Sequence, residues 1–222
     1  MFCTNCGKQT QPKGSACTHC GFDLTHVIAL LNEPDDTLDE VDSRIRPAGQ
    51  IASRALTLAA VTSCTAGRSK PAVIEWLKKE KLWRETTPLE RRFLLERTSP
   101  KSRVGMSWKI EALVPLLWAT NRIRTMPGLN RRCDVESLNK AVVGPPHSTR
   151  AYISSSSLRK EKEIRSQYER VYEAHWKARD AQLKNRSHSK RFDPEVVYER
   201  HYGFNWLIGY MGQPWDDVTA DT

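Results

Sequence analysis

Apolar positions recur along this chain with the period of a helix almost throughout, and the densest apolar segment lies near its middle. Over residues 107–120, SWKIEALVPLLWAT, the side chains Trp108, Ile110, Ala112, Leu113, Val114, Leu116, Leu117, Trp118 and Ala119 go all the way round a helix axis. A helix that is apolar on every face belongs in a core. The spacing therefore predicts a buried central helix, with Ser107 as its N-cap. Glu111 is enclosed in this wall, on the side of Trp118 and Arg122. It must be paired, hydrogen-bonded or protonated, because an isolated buried charge is very costly. Pro115 lacks the N–H that would bond the Glu111 carbonyl, and its ring crowds that oxygen, which predicts a kink beside the acid.

Other helices flank this one. Pro47 occupies a first-turn position, and Ile51, Ala55, Leu58 and Ala59 follow on one face. Pro71 opens a helix carrying Val73, Ile74 and Leu77 and reaching Trp83. Thr87-Pro88-Leu89-Glu90 is a capping box with proline at the first helical position, which launches a helix through Phe93 and Leu94. Residues 98–105 read as a polar loop. Beyond Met126-Pro127-Gly128, Asp134 caps a short helix over 135–142 that Pro145 and Pro146 end. Residues 147–157 read as a linker whose serines cap the longest helix, about 158–184. On that helix Ile164, Tyr168, Val171, Tyr172, His175, Trp176, Arg179 and Leu183 form one stripe. Asp193-Pro194-Glu195 begins the last helix, which reaches about Tyr210 and stops at Gly212. Strand signals are nearly absent beyond the first two dozen residues, so the main domain is expected to be an all-α helical bundle.

The last two helices share a phrase. Tyr168-Glu169-Arg170-x-Tyr172-x-x-x-Trp176 recurs thirty residues later as Tyr198-Glu199-Arg200-x-Tyr202-x-x-x-Trp206. A decayed duplication packed as an antiparallel hairpin would account for it, and so would coincidence.

The cysteines change the picture at the N-terminus. Cys3-x2-Cys6 and Cys17-x2-Cys20 each read C-T-x-C-G, and six cysteines in a chain that opens MFCTNCGK, without the apolar core of a signal peptide, argue for thiolates in the cytosol. The x2 spacing folds the backbone into a knuckle whose sulfurs converge on one ion, and the following glycine permits positive φ. Two knuckles form a closed tetrahedral S4 set, the arrangement of structural Zn2+. Residues 1–24 thus resemble a short zinc ribbon with Cys3, Cys6, Cys17 and Cys20 as ligands. A redox dithiol pair and a chance pattern are the alternatives. Residues 25–43, with a short helix over 25–32 and the acids of 33–42, form the linker to a domain over 44–222. Cys64 and Cys133 have no matching partners and read as free thiols.

The formal charge is +9, and residues 150–191 carry most of the excess, with twelve basic residues against five acidic. That balance suits either a solvated helix face or a phosphate-bearing partner. No apolar run is long enough to span a membrane.

Several segments resemble a bacterial family catalogued as domain of unknown function 4272. They are SWKIEALVPLLWA at 107–119, AHWKARDAQL at 174–183, VVYERHYGFNWLIGY at 196–210 and the ending WDDVTADT. The likeness runs from about residue 44 to 222 in matching order. It implies no established reaction, and the ribbon lies outside it.

Three readings follow. In the first, Glu111, His175, Arg179, Glu199, Arg200, Asp216 and Asp217 form a buried polar network without chemistry, in a non-enzymatic interaction or accessory protein whose partner is a protein. In the second, Glu111 and His175 are an acid–base pair in an inter-helix pocket, with Arg179, Arg200 and Asn205 as further candidates. In the third, the basic region 158–191 binds nucleic acid, against which stands the placing of its aromatics on the buried stripe. The tail from Trp215 is expected to dock on the domain.

Overall fold

The computed structural model describes residues 8, 16–21, 23, 44–142, 148–187 and 190–222. The chain divides into two units, residues 1–41 and 42–222. The second unit is all-α, with helices α1 (Ala48–Ser63), α2 (Lys70–Lys79), α3 (Pro88–Leu95), α4 (Pro100–Ala119), α5 (Val135–Ala141), α6 (Thr149–Ser154), α7 (Glu161–Leu183) and α8 (Pro194–Ile208). None of the described helices is long and apolar enough to cross a membrane.

Helix α4 is the axis. It packs most extensively on α8 and next on α1, while α7 lies antiparallel along α8. The α4–α8 crossing is close because Gly203 has no side chain there. A Cβ at that position would stand 2.5 Å from the Ala112 carbonyl and 2.7 Å from Pro115 Cγ. Leu113, Leu116 and Leu117 of α4, Phe204 and Leu207 of α8, and Ile51 and Leu58 of α1 fill the main core. Each such side chain contributes about 1.5–3 kcal/mol on leaving water. A second cluster, around Leu56, Val61, Leu77, Phe93 and Leu94, joins α1, α2 and α3. Beneath it Arg54 pairs with Glu90, both buried. Glu90 also closes the capping box of α3 by accepting from the Thr87 N–H at 3.0 Å.

Several boundaries differ from the sequence reading. Helix α4 starts two turns before Ser107: Ser99 is the N-cap, accepting from the Ser102 N–H at 3.1 Å, and Pro100 holds the first position. Residues 100–105 are exposed, so no apolar periodicity marks them as helix, and only from Glu111 to Thr120 is every residue buried. The helix runs through Pro115 as one element. Trp83 belongs to a separate 3₁₀ turn and not to α2. The expected linker before α7 contains α6, capped by Ser148. Lys160 precedes α7 without a side-chain cap, and Ser155 and Ser156 instead meet Arg122 Nη2 at 3.3 and 3.0 Å. Helix α8 stops at Gly209, not Gly212. Gly209 has φ +74° and sits so near the Arg44 carbonyl that a Cβ would be 2.7 Å from it. The expected helix over 25–32 and the acidic segment 33–42 lie outside the described residues.

The tail docks. Trp215 is buried edge-on to Tyr202 and Trp206, each 5.3 Å away between ring centroids. The Tyr202 hydroxyl donates to the Trp215 carbonyl, and the Arg54 guanidinium covers the Trp215 ring at 4.8 Å.

Candidate functional site

Burial brings Glu111 and Arg200 together at the α4–α8 crossing, and both side chains are 0% exposed. Arg200 donates to Glu111 Oε2 from Nε at 3.0 Å and from Nη2 at 2.9 Å. Glu111 Oε1 accepts the Cys133 backbone N–H at 2.7 Å. Arg200 Nη1 also donates to the carbonyls of Pro127 and Gly128, at 2.6 and 3.0 Å. The pair thus ties the 127–133 loop to both helices, with charge-assisted bonds compensating the desolvation that isolated ions would suffer. Burial first, then the Glu111 carboxylate, pushes the Cys133 thiol up to about 12, which leaves it a protonated and unreactive free thiol.

The remaining members of the expected network separate from this pair. Glu199 is bonded to Lys109 at 3.0 Å, and the Lys109 ammonium stands 3.7 Å from the centre of the Tyr202 ring. Burial raises the Glu199 pKa against the opposing pull of Lys109. Arg179 is exposed and donates to Gln182 at 3.4 Å. It sits too far round α7 to face the core. Asp216 meets neither Arg179 nor Arg200. Its Oδ2 accepts the Leu89 N–H at 2.9 Å, at the positive end of the α3 dipole. Asp217 is exposed. Asn205 is buried and its Nδ2 donates to the Thr219 carbonyl at 2.7 Å.

His175 does not meet Glu111. It is buried against His201, with the two Nδ1 atoms 2.9 Å apart. Burial lowers the His175 pKa to about 4, helped by Arg179. Burial and the neighbouring His175 lower that of His201 to about 3. Both imidazoles are therefore neutral near pH 7. On its other side His175 borders a cleft of 290 Å³ between α4, α7 and α8, lined among others by Trp108, Arg179, Gln182, Glu195, Tyr198 and Glu199. Glu111 is absent from the lining. His201, Lys109 and the Arg54–Glu90 pair were missed from sequence. The readable hint for His201 was a second histidine within the aromatic phrase of the last helix, one turn before Asn205.

The outer face of α7 also differs from its expected stripe. Ile164, Val171, Ala174, His175 and Ala178 face inward, whereas Trp176 is 48% and Leu183 74% exposed. Tyr172 and Trp176 thus share the solvent side with the basic residues. Four acids of the helix already engage bases: Glu161 with Arg165, Glu163 with Arg159, Glu173 with Lys177 and Asp180 with Lys184.

In the first unit, the Cys17–Gly21 segment forms a tight turn. The His19 N–H reaches Cys17 Sγ at 3.4 Å, and the Gly21 N–H donates to the Cys17 carbonyl at 2.9 Å. Gly21 has φ +68°, and Ala16 and Asp23 pair as an antiparallel bridge. Cys17 is buried and Cys20 exposed. Cys3 and Cys6 lie outside the described residues, and among the described residues no three His, Cys, Asp or Glu side chains group as a metal site.

A family model described as "Domain of unknown function (DUF4272)" matches residues 33–218. The chain belongs to the DUF4272 family. The DUF4272 match takes in the Glu111–Arg200 pair, the histidine pair and the cleft, and it begins after Cys20. Among curated proteins, the human Cell surface glycoprotein MUC18 is 29% identical over 126 residues, which are 57% of this chain and 17% of the glycoprotein. The chain therefore spans a minor part of that protein's length. No solved structure matches this DUF4272 chain.

Proposed function

We propose that this DUF4272 protein is a non-enzymatic accessory protein of the cytosol. In this reading an N-terminal ribbon holds a single structural zinc ion through Cys3, Cys6, Cys17 and Cys20, and the helical domain engages a protein partner. The observation that carries the zinc is the turn at Cys17: a backbone N–H aimed at a sulfur, followed by a glycine at positive φ, is the conformation that lets two cysteines of an x2 pair converge on one ion. Four thiolates leave no open coordination position, so the ion would supply folding energy to a segment too short for a core. The sealed Glu111–Arg200 pair supports a scaffold role for the acid that sequence alone offered as a general acid. The exposed Trp176 and Leu183 support a protein contact along α7. Metal analysis of the purified chain should find one zinc per molecule, lost in Cys17→Ser. A zinc-free protein with an intact N-terminal segment would refute this reading.

One observation favours nucleic acid as a second reading, since Tyr172 and Trp176 are exposed beside the basic residues of α7. The ion pairs along that helix weaken it. Quenching of Trp176 fluorescence by a single-stranded oligonucleotide, diminishing with added salt, would favour this reading over a protein partner.

A further inference from the structure

The histidine pair has a direction. Two neutral imidazoles with Nδ1 atoms 2.9 Å apart share one proton between those atoms, and each ring carries only one N–H. Which ring donates is decided from the far side. The Thr219 carbonyl can only accept, so the Asn205 atom 2.7 Å from it is the amide nitrogen, and Asn205 Oδ1 lies on the other branch. Asn205 is one helical turn beyond His201, on the same face of α8. Oδ1 of Asn205 and Nε2 of His201 are both buried, and neither has a hydrogen-bond partner among the described residues. An amide oxygen can only accept, so pairing these two orphaned atoms, one turn apart, satisfies both only with the ring as donor.

With its proton on Nε2, His201 has a bare Nδ1 and accepts from His175 Nδ1–H. His175 Nε2 is then left with a lone pair and no proton. His175 is 3% exposed and lines the cleft. The docked tail thus sets, through Thr219, Asn205 and His201, the tautomer that the cleft meets.

The opposing walls carry complementary charge. Helix α7 offers His175 and, one turn on, the Arg179 guanidinium, whose described hydrogen bond is to Gln182 alone. Helix α8 offers Glu195 and, one turn on, Glu199, the latter already joined to Lys109. With Glu199 neutralised by Lys109 from outside the lining, Arg179 and Glu195 leave no net charge around the space, which suits a neutral ligand with separated charges. Trp108 and Tyr198 supply apolar wall, and 290 Å³ is at the small end of ligand cavities.

We infer that the cleft between α4, α7 and α8 binds a small zwitterion, an amino acid or a close analogue, with its carboxylate on Arg179 and its amino group between His175 Nε2 and the carboxylates of Glu195 and Glu199. This site is independent of the zinc and of the partner proposed above, and metal loss leaves its test unchanged.

Long-range proton–nitrogen correlation on the full chain, with histidines assigned through His201→Gln, reads both tautomers at neutral pH. His175 should carry its proton on Nδ1 and His201 on Nε2. Asn205→Leu should let the two rings exchange roles. Should that variant not fold, the wild-type spectrum decides, and a His175 proton on Nε2 overturns the assignment. The twenty common amino acids are then titrated singly at millimolar concentration. At least one should shift the His175 resonances saturably. Removing either its amino or its carboxyl group, or replacing the exposed Arg179 by glutamine, should weaken binding about tenfold or more. No saturable shift with any of the twenty overturns the proposal, as does equal binding of the deaminated compound.

Discussion

The same five letters at the same spacing have opposite fates in the two last helices. In α7, Glu169, Arg170, Tyr172 and Trp176 are exposed, and Tyr168 is half-buried. In α8, Glu199, Arg200, Tyr202 and Trp206 are all buried, and only Tyr198 reaches solvent. The residues between and just after the shared letters decide the outcome. Those in α7 include Glu173 and Lys177, which pair at 2.6 Å along the helix surface. At the matching positions of α8 stand Gly203 and Leu207, the first admitting the α4 backbone and the second fully buried. A helix with one apolar flank rests on the domain, and one apolar all round passes through it. The charged letters Glu and Arg then either remain solvated or acquire buried partners.

Four substitution pairs or single changes would break or sharpen this contrast. The largest effect is expected at the arginines. Arg200→Met leaves Glu111 buried without its countercharge and should cost about 3–5 kcal/mol in urea denaturation, whereas Arg170→Met should stay within about 0.5 kcal/mol. Trp206→Ala should cost about 3 kcal/mol by thermal denaturation, against under about 1 kcal/mol for the exposed Trp176→Ala.

Next comes the position where Val171 of α7 matches His201 of α8. His175 and His201 have folded-state values near 4 and 3, below the ordinary 6.5. As pH falls below 6.5 the unfolded chain therefore takes up protons first, and stability present above that value is lost on the way down towards 4 and 3. His201→Val, which makes the second phrase like the first, should flatten the fall in melting temperature between those limits. An unchanged slope would mean that other groups carry it. The smallest contrast is at the crossing. Gly203→Ala should cost about 1–3 kcal/mol through overpacking against Ala112 and Pro115. Its counterpart Glu173→Ala removes only an exposed pair, worth under about 0.5 kcal/mol.

How much of this was readable depends on whether the signal was local. The capping box at Thr87 was, because Thr, Pro and Glu interact within one turn. That Glu111 needs a countercharge follows from the hydrocarbon around it in sequence. That the partner is Arg200 and not Arg179 does not, since both arginines sit on aromatic-rich helices, and only the packing of α8 into α4 separates them. The start of α4 was hidden because its first turns are exposed, although Ser99-Pro100 carried the cap. The buried stripe on α7 is narrower than its apolar spacing suggests. Trp176 and Leu183 have core-like side chains, but nothing among the described residues packs over the face they occupy. The proton-ordering role of Asn205 depends on a tail fourteen residues further on, which no periodicity connects to it.

Glu111 and Arg200 stand as one energetic unit at the α4–α8 crossing. A double-mutant cycle with Glu111→Gln and Arg200→Met, followed by urea denaturation, measures this directly. The predicted result is a coupling energy of about 2–3 kcal/mol, and a value below about 0.5 kcal/mol, the range of independent sites, would contradict it.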